Sequence, residues 1–326
     1  MSRSLKPAVR KPEATALQFP RPPTALHLHA RALRYFDMIR RCGSIREAAR
    51  RLHVSSSAVN RQLLQLEDEI GMPLFERLQA GLRLSAAGEA LSRHVITVLQ
   101  DAQRLSADLD ALEGVRRGAV EVVCVEALTA DFLPGVIETM AARYPGVRIG
   151  VRIAGSAAAA ATVVSGEADV ALGFVLHRSA ELRQVAVGRF ALGALVHPSH
   201  PLAASSTVAF ADCTRHPLVM PGPALSLHWE LAPLVAACKR PLQVVVNTES
   251  LELMKELARR GVGVAFVNGF GIERELRAGQ LRHLPLRGAT PSDLGAYVRA
   301  GRVLPPAVDA FAQVVAAAIE ARAASA

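Results

Sequence analysis

The apolar residues of this 326-residue chain change their period at one place, the stretch Gly114-Val115-Arg116-Arg117-Gly118. Before it, apolar side chains recur three and four apart, as the buried faces of helices do. After it, short apolar runs alternate with helical stretches, the pattern of an α/β domain. The two glycines break the helix and mark a hinge at 114–118. With 51% apolar residues and 21% charged, the chain has enough material for two bodies with separate cores.

Just before the hinge, Leu91, Val95, Val98, Ala102, Leu105, Leu109 and Leu112 repeat at alternating spacings of four and three, while Arg93, Asp101, Arg104, Asp108 and Asp110 lie off that seam. Residues 86–113 therefore read as a coiled-coil linker helix that needs a partner helix, which predicts a homodimer or homotetramer. A single amphipathic helix packed on its own domain is the alternative.

Upstream, over 28–85, three shorter helices are expected. Leu33, Phe36 and Ile39 share one face of the first, which Gly43 stops. Ser44-Ile45-Arg46-Glu47 reads as a capping box opening the second, with Glu47 reaching back to the backbone. Ser55 caps a third, whose buried stripe is Val59, Leu63, Leu66 and Ile70, closed by Gly71. Ser57, Asn60, Arg61 and Leu64 project from its other side. A short helix, a turn and a second helix with small polar and basic residues on its outer N-terminal face is what a major-groove reader requires. The same periodicity suits an ordinary helical hairpin with a solvated polar face.

Charge favours the first alternative. Residues 1–85 hold 15 Lys and Arg against 7 Asp and Glu, whereas residues 86–326 hold 23 against 22. The excess positive charge thus sits beside the candidate recognition helix, as contact with a polyanion requires. Five of those 15, Arg3, Lys6, Arg10, Lys11 and Arg21, lie among five prolines in residues 1–27, which read as a disordered basic tail.

Five linked segments carry a resemblance. Ser44-Ile45-Arg46-Glu47-Ala48-Ala49-Arg50-Arg51-Leu52, Val54 to Val59, Leu66-Glu67 through Ile70-Gly71, Leu74-Phe75-Glu76-Arg77 and Leu84-Ser85-Ala86-Ala87-Gly88 follow, in order and spacing, the signature of LysR-type transcriptional regulators. The resemblance implies that Ser56, Ser57, Asn60 and Arg61 lie on a DNA-recognition helix. It also implies that Leu74 to Ser85 form a wing, with Arg77 and Arg83 near phosphates. The sequence departs from the family by having Ser56-Ser57 where Gln-Pro is usual and Asn60 where Ser is common.

Beyond Gly118 the expected order is a strand at Val120–Val125, a helix at Leu133–Arg143, a strand at Val147–Ile153, a helix at Ala157–Ser165 and a strand at Val170–Leu172. A second set follows: strands in Val185–Val196, a helix around Trp229–Cys238, a strand at Val244–Val246, a helix at Leu251–Arg260 and a strand at Val262–Val267. Such alternation predicts parallel sheets. Leu281–Leu286, Leu294–Val298 and a final helix from Ala307 are expected to return the chain to the first set. Two lobes with a cleft between them resemble the periplasmic-binding-protein-like effector domain of LysR-type regulators, here 119–304 with a C-terminal helix and tail at 305–326. The fold class expected is thus α/β: an N-terminal all-α winged helix-turn-helix domain, a long linker helix and a C-terminal two-lobed α/β domain.

Ligands of open α/β sheets sit beyond the carboxyl ends of strands, near helix N-termini. Ala127, Leu128 and Thr129, Thr248 and Ser250, and Asn268 and Gly269 occupy such positions; the resemblance adds Met220, Pro221 and Gly222. Plain N-capping is the more usual job of Thr129, Thr248 and Ser250. Glu126 opposes an anionic ligand if it points into the cleft.

The chain lacks G-x-S-x-G, G-x-x-x-x-G-K-[ST], H-E-x-x-H and a dinucleotide-binding glycine motif after its first strand, so no catalytic residues are assigned. His197 and His200 are three apart but flanked by prolines, and read as a surface loop rather than a metal site. Cys42, Cys124, Cys213 and Cys238 are too scattered for a metal or disulfide motif. No cofactor or metal is expected. The absence of a long apolar run or a signal-peptide core predicts a cytoplasmic chain with no membrane partner. Its partners are then double-stranded DNA, a small-molecule effector and, by the nature of such regulators, RNA polymerase. The rival reading is a cytosolic small-molecule-binding protein without specific DNA recognition.

Overall fold

The computed structural model describes residues 31–79, 81–112, 118–174, 179–301 and 303–324, without the side chains of 103, 104 and 106–112. The basic tail at 1–27, residues 114–117 of the hinge and the side chains of Leu109 and Leu112 lie outside these.

The N-terminal body contains α1 (Arg31–Cys42), α2 (Ile45–Leu52) and α3 (Ser56–Ile70), then the antiparallel strands β1 (Phe75–Leu78) and β2 (Gly81–Leu84), and the long α4 (Ala86–Leu112). Phe36, Ile39, Ala48, Ala49, Val59, Leu63, Leu66, Leu74 and Phe75 form its core, joined by Val95 of α4. The junctions follow local chemistry. Gly43 takes φ +61° and its N–H donates to Ile39 O at 2.8 Å, ending α1. Ser44 Oγ accepts from Glu47 N at 3.4 Å, starting α2. Glu47 does not complete the capping box: its carboxylate pairs instead with Arg50 at 2.8 Å and Arg51 at 2.9 Å, nearer and fully charged partners. Ser55 Oγ accepts from Ala58 N at 3.2 Å and starts α3.

The seam of α4 divides its work. Leu91 and Val95 pack on their own domain, together with Leu99 off the seam, so the single-domain alternative applies to the first repeat. Leu105, further along, is 43% exposed, an apolar side chain left open to a partner.

The C-terminal body has two five-stranded sheets among the described residues. Lobe 1 contains β3 (Gly118–Cys124), α5 (Phe132–Arg143), β4 (Val147–Ile153), α6 (Ser156–Val164), β5 (Val170–Phe174) and β6 (Leu182–Phe190). Lobe 2 contains β7 (Leu192–Val196), α7 (Phe210–Cys213), β8 (Leu218–Pro221), α8 (Ser226–Ala237), β9 (Val244–Thr248), α9 (Leu251–Arg259), β10 (Val264–Asn268), α10 (Glu273–Arg277) and β11 (Arg282–Pro285). The chain then re-enters lobe 1 with β12 (Ser292–Arg299) and α11 (Pro306–Ala323). Strand orders are β4-β3-β5-β12-β6 and β11-β7-β10-β8-β9.

Three expectations are corrected here. The sheets are mixed rather than parallel: β12 runs antiparallel to β5 and β6, and β7 runs antiparallel to β10 and β11. The run Val185–Val196 belongs to both lobes, because β6 leaves the first sheet and Ala191 alone separates it from β7 in the second. Leu281–Leu286 stays in lobe 2, where β11 pairs with β7, and only β12 returns. Strands that cross between lobes need no helical crossover, which frees them to pair antiparallel.

Phe270, just after β10, inserts into lobe 1. Its ring lies 4.8 Å from Phe190, 5.3 Å from Phe132 and 6.1 Å from Phe174, centroid to centroid, and the Arg322 guanidinium sits 5.3 Å from its centre. A lobe 2 side chain thus forms part of the lobe 1 core and the floor between the lobes.

Candidate functional site

Two surfaces bring the sequence-derived residues together. On α3, Ser56, Ser57 and Arg61 are exposed and Asn60 is half-buried on the flank, opposite Val59, Leu63 and Leu66. Ser57 Oγ lies 3.0 Å from Ser55 Oγ, which keeps the first turn compact. Glu67, Asp68 and Glu69 make the far half of the helix acidic, so only its N-terminal half suits a phosphate-lined groove. An open concavity beside it is lined by Ser44, Arg46, Arg50, Ser55 and Ser56. On the wing, Arg77 is exposed and makes no ion pair among the described residues, whereas Arg83 pairs across the hairpin with Glu76 at 2.9 Å. Sequence reasoning passed over Gln65, exposed one turn beyond Arg61 and bonded to Gln62 at 2.6 Å; the four-residue spacing from Arg61 was the available signal.

The wing is fixed to α4 by a compact knot. Ser85 Oγ donates to Pro73 O at 2.6 Å and accepts from Gly88 N at 3.0 Å, while Leu74 N donates to Glu67 Oε1 at 2.7 Å. Within Leu84-Ser85-Ala86-Ala87-Gly88, Ser85 and Gly88 supply the bonds of this junction.

Between the lobes lies a cavity of about 280 Å³. Its walls come from the carboxyl ends of β3, β4, β5 and β10 and the starts of α6, α8 and α9. Of the sequence-derived residues, Ala127 and Asn268 line it. Leu128 is fully buried in the lobe 1 core. Thr129 Oγ1 donates to Glu126 O at 2.7 Å and Thr248 Oγ1 accepts from Ser250 N at 3.1 Å, both closing local turns. Ser250 Oγ caps α9 by accepting from Leu253 N at 3.3 Å. Met220 and Pro221 lie in β8, and Gly222 N and Gly269 N bond to Thr248 O and Ala191 O, each at 2.8 Å. These last eight are therefore not among the residues that line the cavity. Lining residues that sequence reasoning did not single out include Gly155, Ser156, Phe174 and Ser226, whereas Phe270 belongs to the segment Asn268-Gly269-Phe270-Gly271 that follows β10 and fits the strand-end rule. The strand-end rule applied to β4 and β5 points to the first three.

Glu126 lines the cavity and spans it. From lobe 1 its carboxylate accepts Leu251 N at 2.9 Å and lies 3.4 Å from Ser250 Oγ, at the N-terminus of α9 in lobe 2. Behind the wall, Ser292 Oγ bridges the Glu230 carboxylate and Asn268 Oδ1, the latter at 2.8 Å. Burial pushes the Glu230 carboxyl above the usual range, against hydrogen bonds from Ser292 and Ser226.

His197 Nδ1 bonds Ser199 in a surface turn and His200 stacks edge-on against His216. Among the described residues no cluster of His, Cys, Asp or Glu suits a metal ion, and no helix is long and apolar enough to cross a membrane. All four cysteines are free thiols.

With this geometry in view, comparison with known proteins gives a consistent result. Residues 30–89 match the model for bacterial regulatory helix-turn-helix proteins of the lysR family, and residues 113–320 match the LysR substrate binding domain. The chain belongs to the LysR family. A LysR-family relative, the RuBisCO operon transcriptional regulator of Allochromatium vinosum, is 28% identical over 292 residues, covering 89% of this chain and 96% of the relative. The transcriptional activator protein LysR of Escherichia coli K12 is 25% identical over 241 residues, covering 74% and 78%. Among solved structures, a full-length OxyR variant from Pseudomonas aeruginosa superposes with TM-score 0.70 at 21% identity, covering 89% of this chain and 95% of that one. Full-length CbnR with its target DNA gives TM-score 0.51 at 22% identity, covering 89% and 99%. These likenesses establish the fold. As a LysR-type protein, the chain is a DNA-binding transcriptional regulator with an effector-binding domain.

Proposed function

We propose that this LysR-type regulator reads its operator with Ser56, Ser57, Asn60 and Arg61, holds flanking phosphates with Arg77 and Arg83, and takes its effector in the cavity between the lobes. The observation that carries the DNA reading is the exposed, polar and basic N-terminal face of α3, held by a serine cap on one side and the wing knot on the other. Asn and Arg on such a face reach base edges in the major groove, and the wing arginines fix register without reading sequence. The functional division is 28–85 for DNA, 86–113 for dimerisation, 114–118 as hinge, 119–304 for the effector, and 305–326 as the closing helix and tail. Leu105 supports pairing of α4 with a second copy, as homodimer or homotetramer, which presents two recognition helices to successive half-sites. Of the effector residues named from sequence, Ala127 and Asn268 contact the ligand, and the others shape the loops around it. A regulator of this kind works in the cytoplasm, where it can engage RNA polymerase.

The test is retardation of the chain's own upstream DNA against scrambled competitor across salt concentrations. Competitor-resistant binding that weakens with salt is expected. Equal binding to both DNAs overturns the reading in favour of a ligand-binding protein with a basic appendage.

A further inference from the structure

We propose that the cavity between the lobes takes a small organic cation, an ammonium-type group on an apolar body. This rests on reading the cavity as the effector site and adds the ligand's charge.

Among the described lining residues there is no Lys, Arg or His, and the charged ones are Glu126 and Glu249. Ile153, Phe174, Leu225, Leu227, Val267 and Phe270 supply an apolar wall. Helix N-termini are the usual seats of ligand carboxylates and phosphates, and here the seat at α9 is already taken. Glu126 accepts its first N–H at 2.9 Å, so the chain's own acid stands where an anionic effector group would otherwise bind. Glu249 differs: exposed at the rim, it makes no ion pair or hydrogen bond among the described residues. Among the described residues it has no counter-ion.

Two helix starts remain, at α6 and α8, neither with a side-chain cap. Each helix N-terminus carries about half an elementary charge. Counting α9 as well, three half charges face two full negative ones, so the described lining is net negative. An anionic ligand adds a third negative charge, while an ammonium group meets Glu249 at the rim and an apolar wall beside it. Ser156 also lines the cavity, and its buried hydroxyl has no hydrogen-bond partner among the described residues.

The experiment uses the full-length protein and three probes that share one ring: benzylamine, benzyl alcohol and benzoate. Affinities are taken by calorimetric titration at pH 7 and fixed ionic strength, for the wild type, Glu249→Gln and the cavity-filling Ala154→Trp. Benzylamine is expected to bind at least tenfold more tightly than benzoate. Glu249→Gln should cut the amine's affinity at least fivefold while leaving benzyl alcohol unchanged, and Ala154→Trp should abolish binding of both. Benzoate binding as well as benzylamine overturns the charge assignment and leaves the cavity as the site. Failure of all three probes, or binding that survives Ala154→Trp, overturns the cavity reading together with the proposal.

Discussion

Substituting Gly88 by alanine should loosen the wing, although the same change in an exposed helix is stabilising. Gly88 lies in the first turn of α4, where helix propensity alone favours Ala by about 1 kcal/mol. A Cβ built there falls far inside contact distance of the Leu74 carbonyl oxygen, 3.1 Å from the Leu74 carbonyl carbon and 2.9 Å from Leu84 Cδ2. The first of these is backbone and cannot swing aside. Relieving such overpacking costs typically about 1–3 kcal/mol. Moving Leu74 also strains the Ser85 N to Leu74 O bond, 3.0 Å long and worth about 1 kcal/mol. The net expectation is a loss of about 1–3 kcal/mol, confined to the wing and its junction with α4. Because Leu74 leads directly into β1, Arg77 and Arg83 shift with it. Hydrogen exchange should therefore show reduced protection of β1 and β2 amides, and fluorescence anisotropy with labelled operator should show weaker binding. Ala90→Gly, at an exposed position of the same helix, is the control, losing about 1 kcal/mol by propensity without moving the wing. A Gly88→Ala protein with unchanged wing protection and unchanged DNA affinity refutes the argument.

Lys255, its side chain 3% exposed, is held by Glu275 at 2.8 Å, Glu252 at 2.9 Å and Gly271 O at 3.2 Å. Lys255→Met strands the buried Glu275 carboxylate and should cost about 3–5 kcal/mol in denaturant unfolding; adding Glu275→Gln should recover most of it, and no recovery would contradict the pairing. Glu230 makes a pH-dependent contribution of known sign. Its folded pKa is raised, so as pH climbs from the ordinary value of 4.5 to the folded one, only the unfolded chain releases this proton, and stability falls. Glu230→Gln should remove that slope, at most about 1.4 kcal/mol per pH unit, and be the more stable form at pH 7; an unchanged slope counts against a raised Glu230 pKa.

Helix period, serine caps and glycine stops made the DNA-binding half legible, because those signals are local: Ser44, Ser55, Gly43 and Gly71 act within one turn of where they stand. Element positions in the second half were legible for the same reason, and the strand at Val147–Ile153 is found as read. Lobe membership was not, because pairing is non-local. Nothing in Leu182–Val196 announces that one residue, Ala191, separates two sheets, nor that Leu281–Leu286 pairs with β7 while Leu294–Val298 crosses back. The effector residues suffered likewise. Thr129, Thr248 and Ser250 have the chemistry of ligand contacts but use it within their own turns, and Glu126 reaches α9 from 125 residues away, a bond no spacing rule encodes.

The most direct test of base reading by α3 is to compare Arg61→Ala with Arg77→Ala for binding to operator and to scrambled DNA at matched salt. Arg61→Ala is expected to lose roughly 1–3 kcal/mol on the operator and little on scrambled DNA, collapsing discrimination, while Arg77→Ala weakens both alike. Equal loss on both sequences for Arg61→Ala would make it a phosphate contact and contradict the assignment of α3 as the reader.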